Sequence, residues 1–295
     1  MASAISVRWS VVCGPNPWSV VFSYLSRVNK KKIFRWIKVI VIVYCILGIA
    51  LYYLQDKMLF HPEVVPKDQP YHFDIPFREV NLPYNASTNI NIVQFTTTGN
   101  PKGVVLYFHG NMKNISHYAT FAPEFTRNGY EVWMMDYPGF GKSTGEFVEK
   151  NLYNWALIFY KLGRSRFSKD SIIIYGKSFG SGIAAQLASV RDTKRLILET
   201  PYYSLPSIVG QYAPIYPVDK MIKFKIPTYQ FLQQVEAPVT IFHGTSDWTI
   251  WQSNARSLSK FLKTGDEFIS IEGGNHNDLH QFKLFQEKLD SVLSH

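Results

Sequence analysis

The chain has 295 residues, of which 46% are hydrophobic and 16% aromatic, so it can bury a sizeable core and is neither disordered nor collagen-like. Its formal net charge is +9, but the first 38 residues hold seven of the 31 Lys and Arg and no acidic residue. The remaining 24 basic residues face 22 acidic ones, which argues against a nucleic-acid partner for the globular part. Both cysteines, Cys13 and Cys45, precede that part, so no cysteine nucleophile or cysteine zinc site can be built there.

The N-terminal region predicts a membrane anchor. Residues 39–54 carry no charge, and a helix that starts at Ile33 would be about 33 Å long, enough to cross a hydrocarbon core of ~30 Å. We predict a basic cytoplasmic segment at residues 1–32, a single transmembrane helix at 33–54 and a linker at 55–72. The cations before the helix would keep the N-terminus in the cytoplasm and place the rest on the exported side. The alternatives are a cleaved signal peptide, which would make the protein secreted, and a buried core helix.

Beyond residue 72, strand-like and helix-like stretches alternate, which predicts one α/β domain at 73–295. Continuous apolar runs such as 104–108 and 172–175 are typical of strands that are buried on both faces of a parallel sheet. Ligands bind beyond the carboxyl ends of the strands in such sheets, so the side chains at those ends are the candidates for function. The predicted strands are 90–96, 103–109, 131–135, 171–176, 194–199, 239–243 and 267–271. The predicted helices are 118–128, 147–162, 181–190, 252–263 and 280–293.

A candidate nucleophile lies between a predicted strand and a predicted helix. Gly176-Lys177-Ser178-Phe179-Gly180 has the pattern G-x-S-x-G, in which a strained turn exposes the serine hydroxyl. The residues two positions to either side have to be small, because larger side chains would clash. A serine hydroxyl is a weak nucleophile until a neighbouring base takes its proton, so Ser178 needs a partner.

Two residues at later strand ends complete a serine–acid–histidine order along the chain. Asp247 follows the predicted strand 239–243, and His276 follows the predicted strand 267–271. Histidine titrates near neutral pH, so His276 is the predicted base and Asp247 the acid that orients it. His280 is the alternative base, and Glu199 is the alternative acid.

The same mechanism requires N–H donors for the oxyanion that forms when a serine attacks a carbonyl group. We predict the backbone N–H of Phe179, directly after the nucleophile, as one donor. The second donor is predicted to be the backbone N–H of Asn111, with Met112 as the alternative.

These motifs resemble the α/β-hydrolase superfamily, and within it the Bem-type branch of membrane-anchored serine hydrolases, which is related to the ABHD-type hydrolases. The resemblance covers the chain from about residue 73 onward. It implies a mostly parallel eight-stranded sheet with helices on both faces, a short lid at about 202–234, and a serine hydrolase with no metal and no cofactor. The ABHD-type depalmitoylases carry an N-terminal cysteine cluster, which is missing here, so the resemblance does not imply protein depalmitoylation. The motifs are His109-Gly110-Asn111, Asp136-Tyr137-Pro138-Gly139-Phe140-Gly141-Lys142-Ser143, Gly176-Lys177-Ser178-Phe179-Gly180 and His243-Gly244-Thr245-Ser246-Asp247.

The aromatic residues of the predicted lid and the predicted anchor both favour an apolar substrate. We predict hydrolysis of a carboxylic ester or thioester, either a small molecule or a lipid-like acyl ester, through an acyl-enzyme. A serine peptidase or amidase of the same fold is the first alternative, and a non-catalytic binding protein is the second.

Overall fold

The computed structural model describes residues 30–294, and the chain divides into two units between Tyr53 and Leu54. One helix, α1, begins at Lys30 and ends at Leu59, so it is longer at both ends than the predicted helix 33–54. Its residues 30–53 are the described part of the first unit, and its residues 54–59 belong to the second. Its most apolar window has a mean hydropathy of 2.4, and by length and composition α1 could cross a membrane. Most of the predicted basic segment 1–32 lies outside the described residues.

The second unit is built on an eight-stranded sheet with the order β2-β3-β6-β4-β7-β8-β9-β10. The pairs β2–β3 and β3–β6 are antiparallel, and every other pair is parallel, which confirms the predicted mostly parallel sheet. Two further strands of two residues each, β1 and β5, pair with one another. The strands are β1 His61–Pro62, β2 Phe77–Pro83, β3 Asn89–Phe95, β4 Gly103–Phe108, β5 Met112–Lys113, β6 Tyr130–Met135, β7 Ile172–Lys177, β8 Arg195–Glu199, β9 Val239–Gly244 and β10 Glu267–Ile271.

Helices cover both faces of this sheet, as predicted. Alternate residues of β4 point to opposite sides, so Val104 and Leu106 belong to one apolar core and Val105 and Tyr107 to the other. This double burial explains the continuous apolar runs in the sequence. The helices of the second unit are α2 Ile115–Tyr118, α3 Ala122–Thr126, α4 Glu149–Arg164, α5 Phe179–Val190, α6 Leu205–Tyr212, α7 Val218–Met221, α8 Thr228–Leu232, α9 Gln252–Arg256 and α10 Lys283–Ser294. The helices α6, α7 and α8 occupy the segment that was predicted to be a lid.

The predicted linker 55–72 packs onto the second unit along much of its length. Gln55, Phe60 and Tyr71 are buried, and β1 pairs with β5 in the loop that follows β4. Its proline and histidine content is typical of a linker, but its apolar side chains join the core. Segment 55–72 is therefore part of the globular unit.

Candidate active site

Ser178 lies at a sharp turn between β7 and α5, with φ 51° and ψ −120°. The turn depends on its two glycines. A Cβ atom at Gly176 would lie 2.6 Å from the carbonyl oxygen of Gly180, and a Cβ atom at Gly180 would lie 2.2 Å from the carbonyl oxygen of Phe108. The Ser178 N–H donates to the carbonyl of Glu199, 2.8 Å away, which fixes the turn to the neighbouring strand β8.

Three of the predicted residues meet at the carboxyl ends of β7, β9 and β10. The Nε2 atom of His276 lies 2.9 Å from Ser178 Oγ. Its Nδ1 atom lies 2.7 Å from Asp247 Oδ2. All three residues are buried. The structure thus brings Ser178, His276 and Asp247 into one hydrogen-bonded series.

The surroundings of Asp247 favour its ionised form. Burial raises the pKa of this carboxyl group, but the hydrogen bond and charge of His276 and the backbone N–H of Ile250 outweigh that effect, so its pKa is lowered overall. Oδ1 accepts the N–H groups of Thr249 and Ile250, at 2.8 and 2.9 Å. Beside an ionised Asp247, His276 can donate a hydrogen bond from Nδ1, and in that tautomer Nε2 can accept a proton from Ser178.

The loops that carry the acid and the histidine are in direct contact. The N–H of Ser246 donates to the carbonyl of Gly274 over 2.9 Å. A Cβ atom at Gly244 would lie 2.1 Å from the same carbonyl oxygen, so only glycine allows this approach. Each loop follows its own strand of the parallel sheet, and this contact sets the distance between Asp247 and His276.

A second histidine, His243, lies beside Asp247 and was not among the predicted site residues. Its Nδ1 atom bonds to the carbonyl of Gly244 at 2.9 Å, and its Nε2 atom is 3.7 Å from Asp247 Oδ2. Burial lowers the pKa of His243, although the charge of Asp247 opposes the shift. A neutral His243 therefore packs against the carboxylate. The sequence signal that could have identified His243 is its position four residues before Asp247.

The two predicted oxyanion donors lie on adjacent segments. Phe179 begins α5, where the first N–H groups of a helix have no partner within it. Asn111 is fixed by its carbonyl, which accepts the N–H of His61 at 2.9 Å, and by its side-chain amide, which donates to the carbonyl of Leu59 at 2.6 Å. A Cβ atom at Gly180 would clash with the carbonyls at the end of β4, so the Asn111 loop and the start of α5 are close together. The alternative donor, Met112, belongs to β5 and is partly exposed.

The motif that begins at Asp136 contacts the segment that follows the Asn111 loop. The fully buried carboxylate of Asp136 accepts the N–H of Ile115 at 2.9 Å and the hydroxyl of Tyr71 at 3.4 Å. Gly141 has φ 51°, and a Cβ atom there would lie 1.9 Å from Asp136 Oδ2. This glycine is therefore required by the packing of the carboxylate, a role that the sequence pattern alone did not disclose.

The two alternative residues, His280 and Glu199, bond to one another. His280 Nε2 lies 3.0 Å from Glu199 Oε1, and its Nδ1 lies 2.6 Å from Glu124 Oε2. Glu199 also accepts hydrogen bonds from Lys177 and Tyr175. Burial opposes both charges, but the charge of His280 and that of Lys177 lower the pKa of Glu199, and the charge of Glu199 raises the pKa of His280. These groups form a buried charged network next to the Ser178 turn.

Comparison with known proteins agrees with this architecture. The family model described as serine aminopeptidase, S33, matches residues 99–231, a range that includes Ser178 but neither Asp247 nor His276. Alpha/beta hydrolase domain-containing protein 17C of Xenopus tropicalis is 30% identical over 195 residues, which are 65% of this chain and 61% of the relative. The same protein of Mus musculus is 29% identical, over 65% of this chain and 59% of its own length. The chain thus matches about three fifths of the length of these curated relatives.

Solved structures share the fold at low sequence identity. An esterase of Pyrococcus furiosus superimposes with a TM-score of 0.63 at 14% identity, covering 80% of this chain and 97% of the esterase. Est1E of Butyrivibrio proteoclasticus, solved with ferulic acid bound, gives a TM-score of 0.55 at 17% identity, over 73% of this chain and 96% of its own. Sheet order, glycine-flanked serine turn and sequence relatives agree: the chain has the α/β-hydrolase fold and is similar in sequence to ABHD-type hydrolases.

Proposed function

We propose that the protein is a serine hydrolase that cleaves carboxylic esters or thioesters of acyl groups. The observation that carries this proposal is the hydrogen-bonded series from Ser178 Oγ through His276 to Asp247. Ser178 Oγ attacks the carbonyl carbon of the substrate while His276 Nε2 takes the hydroxyl proton. The N–H groups of Phe179 and Asn111 stabilise the resulting oxyanion, each contributing about 3 kcal/mol.

The second half of the reaction reuses the same groups. When the tetrahedral intermediate collapses, His276 gives its proton to the leaving alcohol or thiol, and the acyl group remains on Ser178. A water molecule then attacks the acyl-enzyme, with His276 again acting as base. Asp247 remains ionised and stabilises the imidazolium that forms in each half.

A peptidase is the second candidate, and the name of the matching family model favours it. An aminopeptidase has to bind the charged amino terminus of its substrate. The carboxylates at this rim, Asp136, Glu199 and Asp247, are all buried and already accept hydrogen bonds within the protein. This arrangement favours an uncharged acyl group over an amino-terminal substrate. If the protein hydrolyses aminoacyl p-nitroanilides in preference to p-nitrophenyl esters, the peptidase becomes the first candidate and the esterase the second.

The apolar helix α1 supports a further part of the proposal, namely that the protein is a single-pass membrane protein. Its 30 residues are long and apolar enough to cross a bilayer. The cations at the start of α1, Lys30, Lys31 and Lys32, favour a cytoplasmic N-terminus and a catalytic unit on the exported side.

The chemical proposal is tested by labelling the full-length protein, in detergent, with a fluorophosphonate probe. We expect wild type to be labelled and to hydrolyse p-nitrophenyl esters, and Ser178→Ala to lose both properties. Ser181→Ala is the matched control, because Ser181 is a buried serine in the first turn of α5 whose hydroxyl has no hydrogen-bond partner among the described residues. Its contact with Ser178 is made by its backbone N–H, which alanine keeps. If labelling persists in Ser178→Ala, the nucleophile has been assigned to the wrong residue.

A further inference from the structure

Four phenylalanine rings pack together next to the Ser178 turn, and we call them the phenyl cluster: Phe60, Phe147, Phe179 and Phe224. Phe60 is its centre, with ring centroids 4.6 Å from Phe147, 5.0 Å from Phe179 and 5.1 Å from Phe224. Phe179 directly follows Ser178, so the cluster begins where an acyl group bound to the serine would begin. The central ring comes from the segment after α1 and not from the lid or the sheet.

A surface cavity of about 380 Å³ borders the cluster at Phe147 and Phe224. Its apolar lining is Phe147, Val148 and Phe224, and its charged lining is Asp56, Glu146, Glu149 and Lys223. Its volume is in the range of small-molecule binding sites. Phe60 contacts both of the lining rings and also Phe179, and its three centroid distances are shorter than the 6.1 Å between Phe147 and Phe179. Phe60 and Phe147 thus connect the lining of the cavity to the residue after Ser178.

Phe60 is held in this position from two sides. On the lid side, the buried amide of Gln55 donates to the carbonyl of Met221 at 3.2 Å and accepts the N–H of Lys223 at 2.7 Å. On the other side, the carbonyl of Leu59 accepts the side-chain amide of Asn111 at 2.6 Å. The backbone on which Phe60 sits is therefore bonded both to the lid and to the loop of the predicted oxyanion donor.

We propose that Phe60 is a specificity-determining residue, which closes a hydrocarbon-binding site between Ser178 and this cavity and so limits the length of the acyl chain. The inference rests on the proposed esterase function. The rings of the cluster offer an apolar path that suits a linear alkyl chain and has no donor for a polar substituent. With the phenyl ring in place, short acyl groups fit beside Phe179, and a longer chain must displace it to reach the cavity.

The test compares chain-length profiles of full-length Phe60→Ala, Phe60→Leu and Phe60→Trp. Removing ring volume should raise the ratio of kcat/KM for a dodecanoyl ester to that for a butanoyl ester, by about 10-fold for Phe60→Ala and less for Phe60→Leu. Phe60→Trp adds volume and should lower the same ratio. Phe125→Ala is the matched control, because Phe125 is equally buried but packs against Tyr107 and Tyr175 on the opposite face of the sheet.

If smaller and larger side chains at position 60 shift the kcat/KM ratio in opposite directions, lost stability alone cannot be the cause, because both kinds of substitution destabilise a packed core. If all variants lose activity in parallel across chain lengths, as expected of Phe125→Ala, the inference is overturned while the esterase proposal stands. Binding of a fluorescent dodecanoic acid to Ser178→Ala gives a readout that needs no catalysis. Tighter binding in Phe60→Ala and weaker binding in Phe60→Trp, in that background, would support the site even if wild type hydrolysed no ester. Equal binding in both variants would overturn it.

Discussion

At the scale of single residues, the proposed chemistry depends on which nitrogen of His276 carries the proton. In the proposed mechanism, Asp247 keeps that proton on Nδ1, the ring nitrogen that lies 2.7 Å from its carboxylate. An asparagine in its place keeps the shape but can present an N–H group to the ring, which favours the wrong tautomer. We expect Asp247→Asn to lower kcat by about 10³- to 10⁴-fold with little change in thermal stability, measured on a butanoyl ester.

The matched control for this prediction is Asp266→Asn. Asp266 also accepts a backbone N–H group, from Val239 at 2.9 Å, but it directly precedes β10 and contacts the first residue of β9, at the end of the sheet opposite to the carboxyl ends. A loss of kcat of similar size in both variants would contradict the role assigned to Asp247. A loss confined to Asp247→Asn supports it.

The buried network around Glu199 and His280 predicts a pH dependence of stability. The lowered pKa of Glu199 contributes stability that is present above its usual value of 4.5 and lost as pH falls. The raised pKa of His280 contributes stability that is present below 6.5 and lost as pH rises through the raised value. We therefore expect His280→Asn to lower the thermal midpoint of the full-length protein most near pH 5.5 and less at about pH 9.

The physical reason is that a neutral His280 leaves two carboxylates, Glu124 and Glu199, facing a ring that no longer compensates their charge; Lys177 and Tyr175 remain as partners of Glu199. Thermal unfolding scans of wild type and variant across this range measure the difference directly. If the thermal midpoints of wild type and variant differ by the same amount at every pH, His280 contributes to stability by packing alone.

At the scale of elements, the close approach of the Ser178 turn to the Asn111 loop depends on one glycine, Gly180. A Cβ atom at Gly180 would lie 2.2 Å from the carbonyl of Phe108 and 2.5 Å from that of His109, and backbone atoms cannot yield as a flexible side chain can. We expect Gly180→Ala to push the Asn111 loop away from Phe179 and to lower kcat for esters by about 10²-fold, the scale of one lost oxyanion donor.

Gly210→Ala is the control for this substitution. Gly210 lies within helix α6, and its added Cβ atom would approach only Val218, at an ordinary contact distance of 3.5 Å. Alanine at this position should leave activity unchanged and stabilise the protein by up to about 1 kcal/mol. If Gly180→Ala kept full activity, the Asn111 loop would have no part in the reaction.

Some strands and helices were predictable from the sequence and others were not. Strands β4 and β7 were predicted from unbroken apolar runs, but β2 was missed because its residues are only half-buried. The predicted helix 118–128 is broken into short turns, since Pro123 has no N–H to continue a helical ladder. Segment 55–72 was interpreted as a linker because local composition cannot reveal that Phe60 is buried by residues far away in the chain.

The positions of Ser178, Asp247 and His276 were accessible to prediction because each follows a strand of one parallel sheet. Their roles stay a prediction until they are tested chemically. The partnership of His280 with Glu199 was not accessible, because it depends on one rotamer of each residue and on a sequence separation that no local pattern spans.

At the scale of the whole molecule, the proposed membrane topology decides which compartment the catalytic unit occupies. The exposed turn between β2 and β3 contains Asn85-Ala86-Ser87, the acceptor pattern for N-linked glycans. Glycan transfer takes place only on the exported side, so this turn reports on orientation. A second match, Asn114-Ile115-Ser116, is a poor acceptor in the folded protein because the Asn114 amide is buried and donates to the carbonyl of Glu63 at 2.9 Å.

We therefore expect the full-length protein, made in a eukaryotic cell, to carry a glycan that a glycosidase removes with a shift in gel mobility. Asn85→Gln should abolish that shift and retain fluorophosphonate labelling, because the Asn85 side chain bonds only within its own turn. A catalytic unit on the cytoplasmic side would instead give no glycan and would be digested by protease added outside intact microsomes. Since the phenyl cluster and Ser178 belong to that unit, the same result also decides which membrane leaflet could supply an acyl substrate.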